Sequence, residues 1–200
     1  MWIEHVPYEE ASGELKELYG RVSGPGGNVD NIMLAHSLRP HTMVGHLTLY
    51  KAVLHHPGNT VPRWFLETLG VWVSLLNGCR YCVEHHFAGL RRLLGDEERA
   101  AAVRAALEKG DLSRAFTPKE RAALDYAVVL TRSPSEVSQA DVERLRRAGW
   151  EDGEILEINQ VVAYFNYANR TVLGLGVGLA GDVLGLSPQE SADLTDWRHR

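Results

Sequence analysis

The stretch HTMVGHLTLYKAVLH, residues 41–55, spaces its apolar side chains at helical intervals and stops at His56-Pro57-Gly58, a pattern that recurs down the chain. Pro62 opens PRWFLETLGVWVSLL and Asn77-Gly78 closes it, as a first-turn proline and a terminal glycine do. The next helix runs through Cys79 and Cys82 to Leu94 and halts at Gly95, and another runs from Asp96 to Lys109 and halts at Gly110. Thr117-Pro118, Ser138 and Glu151-Asp152 each open a further helix, the last a long apolar one through Asn169. A short acidic helical pattern covers Val6 to Tyr19, and VSGPGGN at 22–28 breaks it. IMLAHSL at 32–38 adds one more helix before Arg39-Pro40. No pair of segments alternates as strands must, so the fold class expected is all-α, with roughly eight to ten helices.

The 200 residues are expected to form a single domain, with an N-terminal arm over 1–30 and a core over about 31–185. LRRLLGDEE at 90–98 resembles LRRAGWEDGE at 145–154. Each is a helix end, a glycine and an acidic helix start, which hints at a duplicated helical unit. The net charge is -5, and no basic run exceeds Arg91-Arg92 or Arg146-Arg147, which excludes a nucleic-acid footprint. No apolar run reaches the ~18 residues of a membrane span, and the N-terminus has no signal-peptide core. The expectation is a cytoplasmic protein without membrane or nucleic-acid partners. In that compartment thiols stay reduced, so the only two cysteines, in NGCRYCVEHH at 77–86, read as metal-binding or redox-active rather than as a structural bridge.

On a helix, Cys79, Cys82 and His86 fall within roughly 60° of one face, while His85 points elsewhere. The cysteines lie in the first turn, where free N–H groups and the helix dipole favour a thiolate. Glu67 interrupts an apolar helix ten residues before the Asn77-Gly78 turn, and His86 follows it by eight. An antiparallel hairpin brings them level, and a carboxylate facing an imidazole fixes its tautomer and raises its basicity. Other readings stand beside this one. Glu67 could pair with Arg63 on a solvated face, and Cys79, Cys82 and His86 with one further ligand could hold zinc. His55-His56 reads as an exposed helix end, with lining of the site as the lesser alternative.

At these residues the chain resembles the alkylhydroperoxidase D and carboxymuconolactone decarboxylase family, in particular its peroxidase-related branch. The family pattern of a glutamate, twelve residues to CxxC, then three residues and a histidine is matched by Glu67, Cys79-Arg80-Tyr81-Cys82 and His86. NVDNIMLAHSLRP at 28–40 and GWEDGEILEINQVVAYFNYANRTVLGLGV at 149–177 resemble the same branch. The resemblance implies an alkylhydroperoxidase D-like helical fold, assembly as trimers or hexamers, and a dithiol that reduces hydroperoxides with no metal, flavin or other cofactor. It implies Cys82 as peroxidatic and Cys79 as resolving, with Glu67 and His86 as the pair that deprotonates and orients. The electrons would come from a dithiol reductant protein, thioredoxin-like or lipoyl-bearing. Tyr81 stands where the family's alkylhydroperoxidase has a histidine. A disulfide reductase or redox partner protein that does not itself attack peroxide, or a zinc-binding redox sensor, are the rival functions. From the first-turn dipole and the neighbouring His86, Cys82 is expected to titrate below a free thiol.

Overall fold

A computed structural model describes residues 1–199; position 200, the last of the expected domain, lies outside the described residues. Nine α-helices and three short 3-10 turns appear among them, with no strand and a single isolated bridge between Pro188 and His199. The all-α class expected from the sequence is the observed one.

The fold is built round α4 (Arg63–Leu76), in which every residue from Phe65 to Ser74 is buried. A helix apolar on all sides cannot face water and must be surrounded. α5 (Arg80–Leu94), α7 (Pro118–Arg132) and α9 (Asp152–Leu175) cover it. Its two hydroxyls cause no penalty, because Thr68 and Ser74 donate back to the carbonyls of Trp64 and Gly70. Gly70 is what lets α9 approach: a Cβ there would overlap the Phe165 ring. The main core joins α3 (Pro40–Leu54) to these helices through Tyr50, Phe65, Leu69, Trp72, Leu124, Ile158 and Phe165.

The starts and stops are set by local chemistry. Thr117 and Glu120 form a reciprocal capping box at α7, Asp96 caps α6 (Glu97–Lys109), and Ser138 with Asp141 caps α8 (Gln139–Arg147). Gly95 and Gly149 both take left-handed φ values, 60° and 97°. The sequence echo at 90–98 and 145–154 is thus a recurring glycine turn between helices.

Three boundaries differ from expectation. IMLAHSL at 32–38 gives only the single helical turn α2 (Asn31–Leu34), followed by a run of turns. The first helix, α1, is Gly13–Val22 rather than Val6–Tyr19, because Pro7 starts a turn whose carbonyl is taken by the amides of Glu10 and Ala11. The long helix continues past Asn169 to Leu175 and ends only at Gly176, which is left-handed at φ 62°. α1 packs through Leu18, Tyr19 and Val22 on Met43, Leu47 and the buried Trp197. The chain after α9 therefore returns to the opposite terminus. On the way it crosses α3, α4 and α5, through Lys51 to the Gln189 carbonyl, Arg63 to Ser187, and His85 to Asp182. No helix among the described residues is long and apolar enough to cross a membrane.

Candidate active site

The turn between α4 and α5 fixes the thiols. Gly78 has φ 70°, Cys79 occupies the N-cap of α5, and the Cys79 amide donates to the Ser74 carbonyl at 2.8 Å. Asn77 donates to Asn166 and Asn169 of α9 at 3.0 and 2.9 Å, and Asn169 donates to the Ser74 hydroxyl at 3.0 Å. These amides tie the start of α5 to α9. Asn169, fully buried in the middle of an apolar helix, has this structural reason to be polar, which the sequence pattern alone did not disclose.

Cys79 and Cys82 are free and buried, with sulfurs 2.8 Å apart. That is longer than the ~2.05 Å of a disulfide bond, and the thiols share a hydrogen bond. The bond treats them unequally. Cys79 is held below the usual cysteine value, first by its hydrogen bond with the Cys82 thiol and further by the Cys82 amide, against the opposing effect of burial. Cys82 is pushed well above that value, first by the same bond to Cys79, then by burial and by charge on Cys79. The expectation that Cys82 is the low thiol is therefore corrected. Cys79 is the N-cap residue and receives the Cys82 amide, while at Cys82 the bond between the thiols and burial both act against the anion. His86 is absent from the groups that move Cys82, whereas Asn169 stabilises its anion.

Access runs the other way. A cavity of about 50 Å³ opens on Cys82 and not on Cys79, and Glu67, His86, Tyr50, Tyr164 and His46 line it. That volume holds a few waters or the reacting end of a larger molecule. Glu67 and His86, nineteen residues apart, meet across the α4–α5 hairpin, with Oε2 and Nδ1 2.8 Å apart. Glu67 is 2% exposed, so the solvated Arg63 pair is not what forms; Arg63 donates to Ser187 at 3.0 Å. With Nδ1 committed to the carboxylate, His86 keeps Nε2 for the cavity. Its ring stands edge-on to Phe165, with centroids 4.5 Å apart.

Three lining groups come from outside the motif. Tyr50 and Tyr164 stack with centroids 5.6 Å apart, and burial, the leading cause for both, raises them well above 10.0. They stay protonated and can donate. His46 meets the Tyr164 hydroxyl at 3.2 Å and is held neutral, with burial lowering its pKa to about 3. His85 does not turn away from the site. It lines the same cavity and meets Asp182 at 3.1 Å, while the Tyr81 hydroxyl donates to Asp182 at 2.6 Å. His55, read from sequence as exposed, is fully buried against Tyr50, at 4.7 Å between centroids, because the last segment closes over it.

Among the described residues, the donors that converge as a cation site would need are Asp30, His85 and Asp182, within 4.8 Å of one another. Cys79, Cys82 and His86 do not form such a group. Asp182 already accepts from the Asn31 amide, Tyr81 and His85.

Residues 47–129 match the family model of the carboxymuconolactone decarboxylase family. Over this segment, less than half of its length, the chain is similar to that family. The helices of the match carry Tyr50, Glu67, both cysteines and His86. Among solved structures, the chain is similar to one described as the alkylhydroperoxidase AhpD core, an uncharacterized peroxidase-related protein from Ralstonia eutropha JMP134. The identity is 25%, the coverage 92% of this chain and 97% of that one, and the TM-score 0.75. The debrominase Bmp8, solved with 2,3,4-tribromopyrrole, shares the fold at 18% identity, 90% and 92% coverage and a TM-score of 0.70. Uncharacterized protein YdfG of Bacillus subtilis (strain 168) is 23% identical over 118 residues, which are 59% of this chain and 78% of YdfG. The fold is thus shared by an alkylhydroperoxidase D-like core and by an enzyme, the debrominase.

Proposed function

We propose that the protein is a thiol peroxidase that reduces hydroperoxides through Cys82 and Cys79. The observation that carries this reading is the pairing of a hydrogen-bonded dithiol with a cavity that reaches Cys82 and is walled by the Glu67–His86 pair. The bond between the thiols, 2.8 Å long, favours the proton on Cys82 and the negative charge on Cys79, so Cys79 in its thiolate form is the base. As that proton crosses to Cys79, the Cys82 sulfur attacks the terminal oxygen of ROOH. The S–O bond forms, the O–O bond breaks, and the alkoxide takes a proton from the imidazole of His86 to leave as ROH. Glu67 supports the positive charge that His86 carries before it gives up that proton. Cys79, now a thiol, condenses with the Cys82 sulfenic acid, releasing water and forming the disulfide. An external dithiol of a thioredoxin-like or lipoyl protein then reduces it by exchange.

In this reading the protein serves antioxidant defence in the cytoplasm as a homo-oligomer, a trimer or hexamer, and it needs no metal or flavin. Consumption of hydroperoxide by the isolated protein with a dithiol reductant tests it. Cys82→Ser should abolish turnover, and Glu67→Gln or His86→Asn should slow it by ~10²-fold or more. Reduction of protein disulfides without any consumption of hydroperoxide would replace the peroxidase by a disulfide reductase.

A further inference from the structure

A second recess adjoins the thiol cavity. Arg63 of α4 and Arg92 of α5 flank it, Ser187 and Gln189 of the last segment roof it, and Glu67, Gly89 and Ser187 belong to the walls of both spaces. Gly89 has no side chain to divide them. The two guanidinium groups are short of partners. Arg63 spends one N–H on Ser187, and its buried Nε has no acceptor. Arg92 makes no ion pair or side-chain hydrogen bond among the described residues, although Arg91, its neighbour, holds Glu97 at 2.7 Å. The one acid of the recess, Glu67, is turned to His86 at 2.8 Å. Two cations thus face a common space whose one acid is already engaged by His86.

Their position relative to the thiol sets the size of what could bridge both spaces. Arg92 follows Cys82 by ten residues on α5, roughly 15 Å at 1.5 Å per residue. Helical side chains lean toward the N-terminus, so its guanidinium reaches back and shortens the gap to about 10 Å. A planar fork of donors is suited to a carboxylate.

We propose that the Arg63–Arg92 recess binds the carboxylate of an organic hydroperoxide, so that the preferred substrates are medium- or long-chain hydroperoxy acids whose peroxide end enters at Cys82. This rests on the peroxidase reading for the reaction, but the anion site can be tested without it. Calorimetry on the reduced wild-type protein should detect binding of octanoate and at least about tenfold weaker binding of methyl octanoate. Arg92→Gln, an exposed substitution, should remove most of that difference, and Arg63→Gln should do the same. In turnover, the KM for linoleic acid hydroperoxide should lie at least about tenfold below that of its methyl ester, and the ratio should collapse in Arg92→Gln. Equal binding of acid and ester, no binding of either, or an Arg92→Gln protein that keeps the full preference each overturns the proposal. If no hydroperoxide is turned over while octanoate still binds in an Arg92-dependent way, the anion site stands and the peroxidase reading falls.

Discussion

The two thiols differ because of one hydrogen bond. Both are buried, but Cys79 sits at a helix N-cap and its anion gains the Cys82 thiol and amide, whereas the same bond disfavours the anion of Cys82. Reduced protein should therefore show one thiolate forming below the ordinary cysteine value of 9.0 and a second well above it. Cys82→Ala should raise the first by removing its largest cause, and Cys79→Ala should lower the second toward 9.0 for the same reason. Thiolate absorbance in the near-ultraviolet against pH measures both, and two equal thiols near 9.0 would contradict the assignment. Sequence spacing was enough to bring Glu67, Cys79, Cys82 and His86 together, because all four lie on one helical hairpin whose turn is written in Asn77-Gly78. It misjudged which sulfur is acidic. That depends on the Cys82 amide, the Asn169 carboxamide and burial by Val172 and Val177, none of which the periodicity of α5 reveals.

At the scale of elements, the α4–α9 contact is what supports the site. Phe165 of α9 lies over Gly70 of α4 and presents its face to His86. Gly70→Ala would drive a methyl into that ring, and overpacking of this kind costs typically 1–3 kcal/mol. Denaturant unfolding should report that loss, and turnover should fall as well because the ring orients His86. A variant with wild-type stability and rate would mean that α9 moves aside freely. Helix starts and stops were readable wherever a cap or a left-handed glycine marks them, as at Thr117, Ser138, Gly95 and Gly110. The N-terminal helix was placed too early, because an acidic pattern over 6–12 looks helical while Pro7 spends its carbonyl on a turn. Tyr50 and Tyr164, 114 residues apart and 5.6 Å between centroids, meet only through packing of α3 on α9.

At the scale of the whole molecule, packing seals three histidines away from water, His46 against His36, Tyr164 and Tyr167, and His55 under Tyr50 and the last segment. His46 is held at about 3, and His55 well below and His36 below the usual 6.5, burial being the first cause in each case. In the unfolded chain they titrate near 6.5, so that state binds more protons as the pH falls. The stability they contribute is complete above 6.5 and is lost as the pH drops through that value, at about 1.4 kcal/mol per pH unit for each histidine that stays neutral. Urea midpoints should therefore fall progressively as the pH drops below about 6.5, and His46→Gln should flatten the slope by one proton. A slope unchanged by that substitution would place the acid sensitivity elsewhere. The stretch 171–186 buries Val172 and Val177 but leaves Leu173, Val183 and Leu184 more than two-fifths exposed. A second copy is the expected cover, and light scattering at micromolar concentration should report an oligomer rather than a monomer.

The peroxidase chemistry turns on which sulfur meets the oxidant. Reduced Cys79→Ser protein should be mixed with one equivalent of hydroperoxide and a sulfenic-acid trap, with Cys82→Ser in parallel, and the adducts mapped by mass spectrometry. Only Cys82 opens on the cavity, so the adduct should form on Cys82 in the first variant, while the second reacts far more slowly. Rapid trapping on Cys79 with Cys82 inert, or no adduct in either variant, would contradict the peroxidatic role of Cys82.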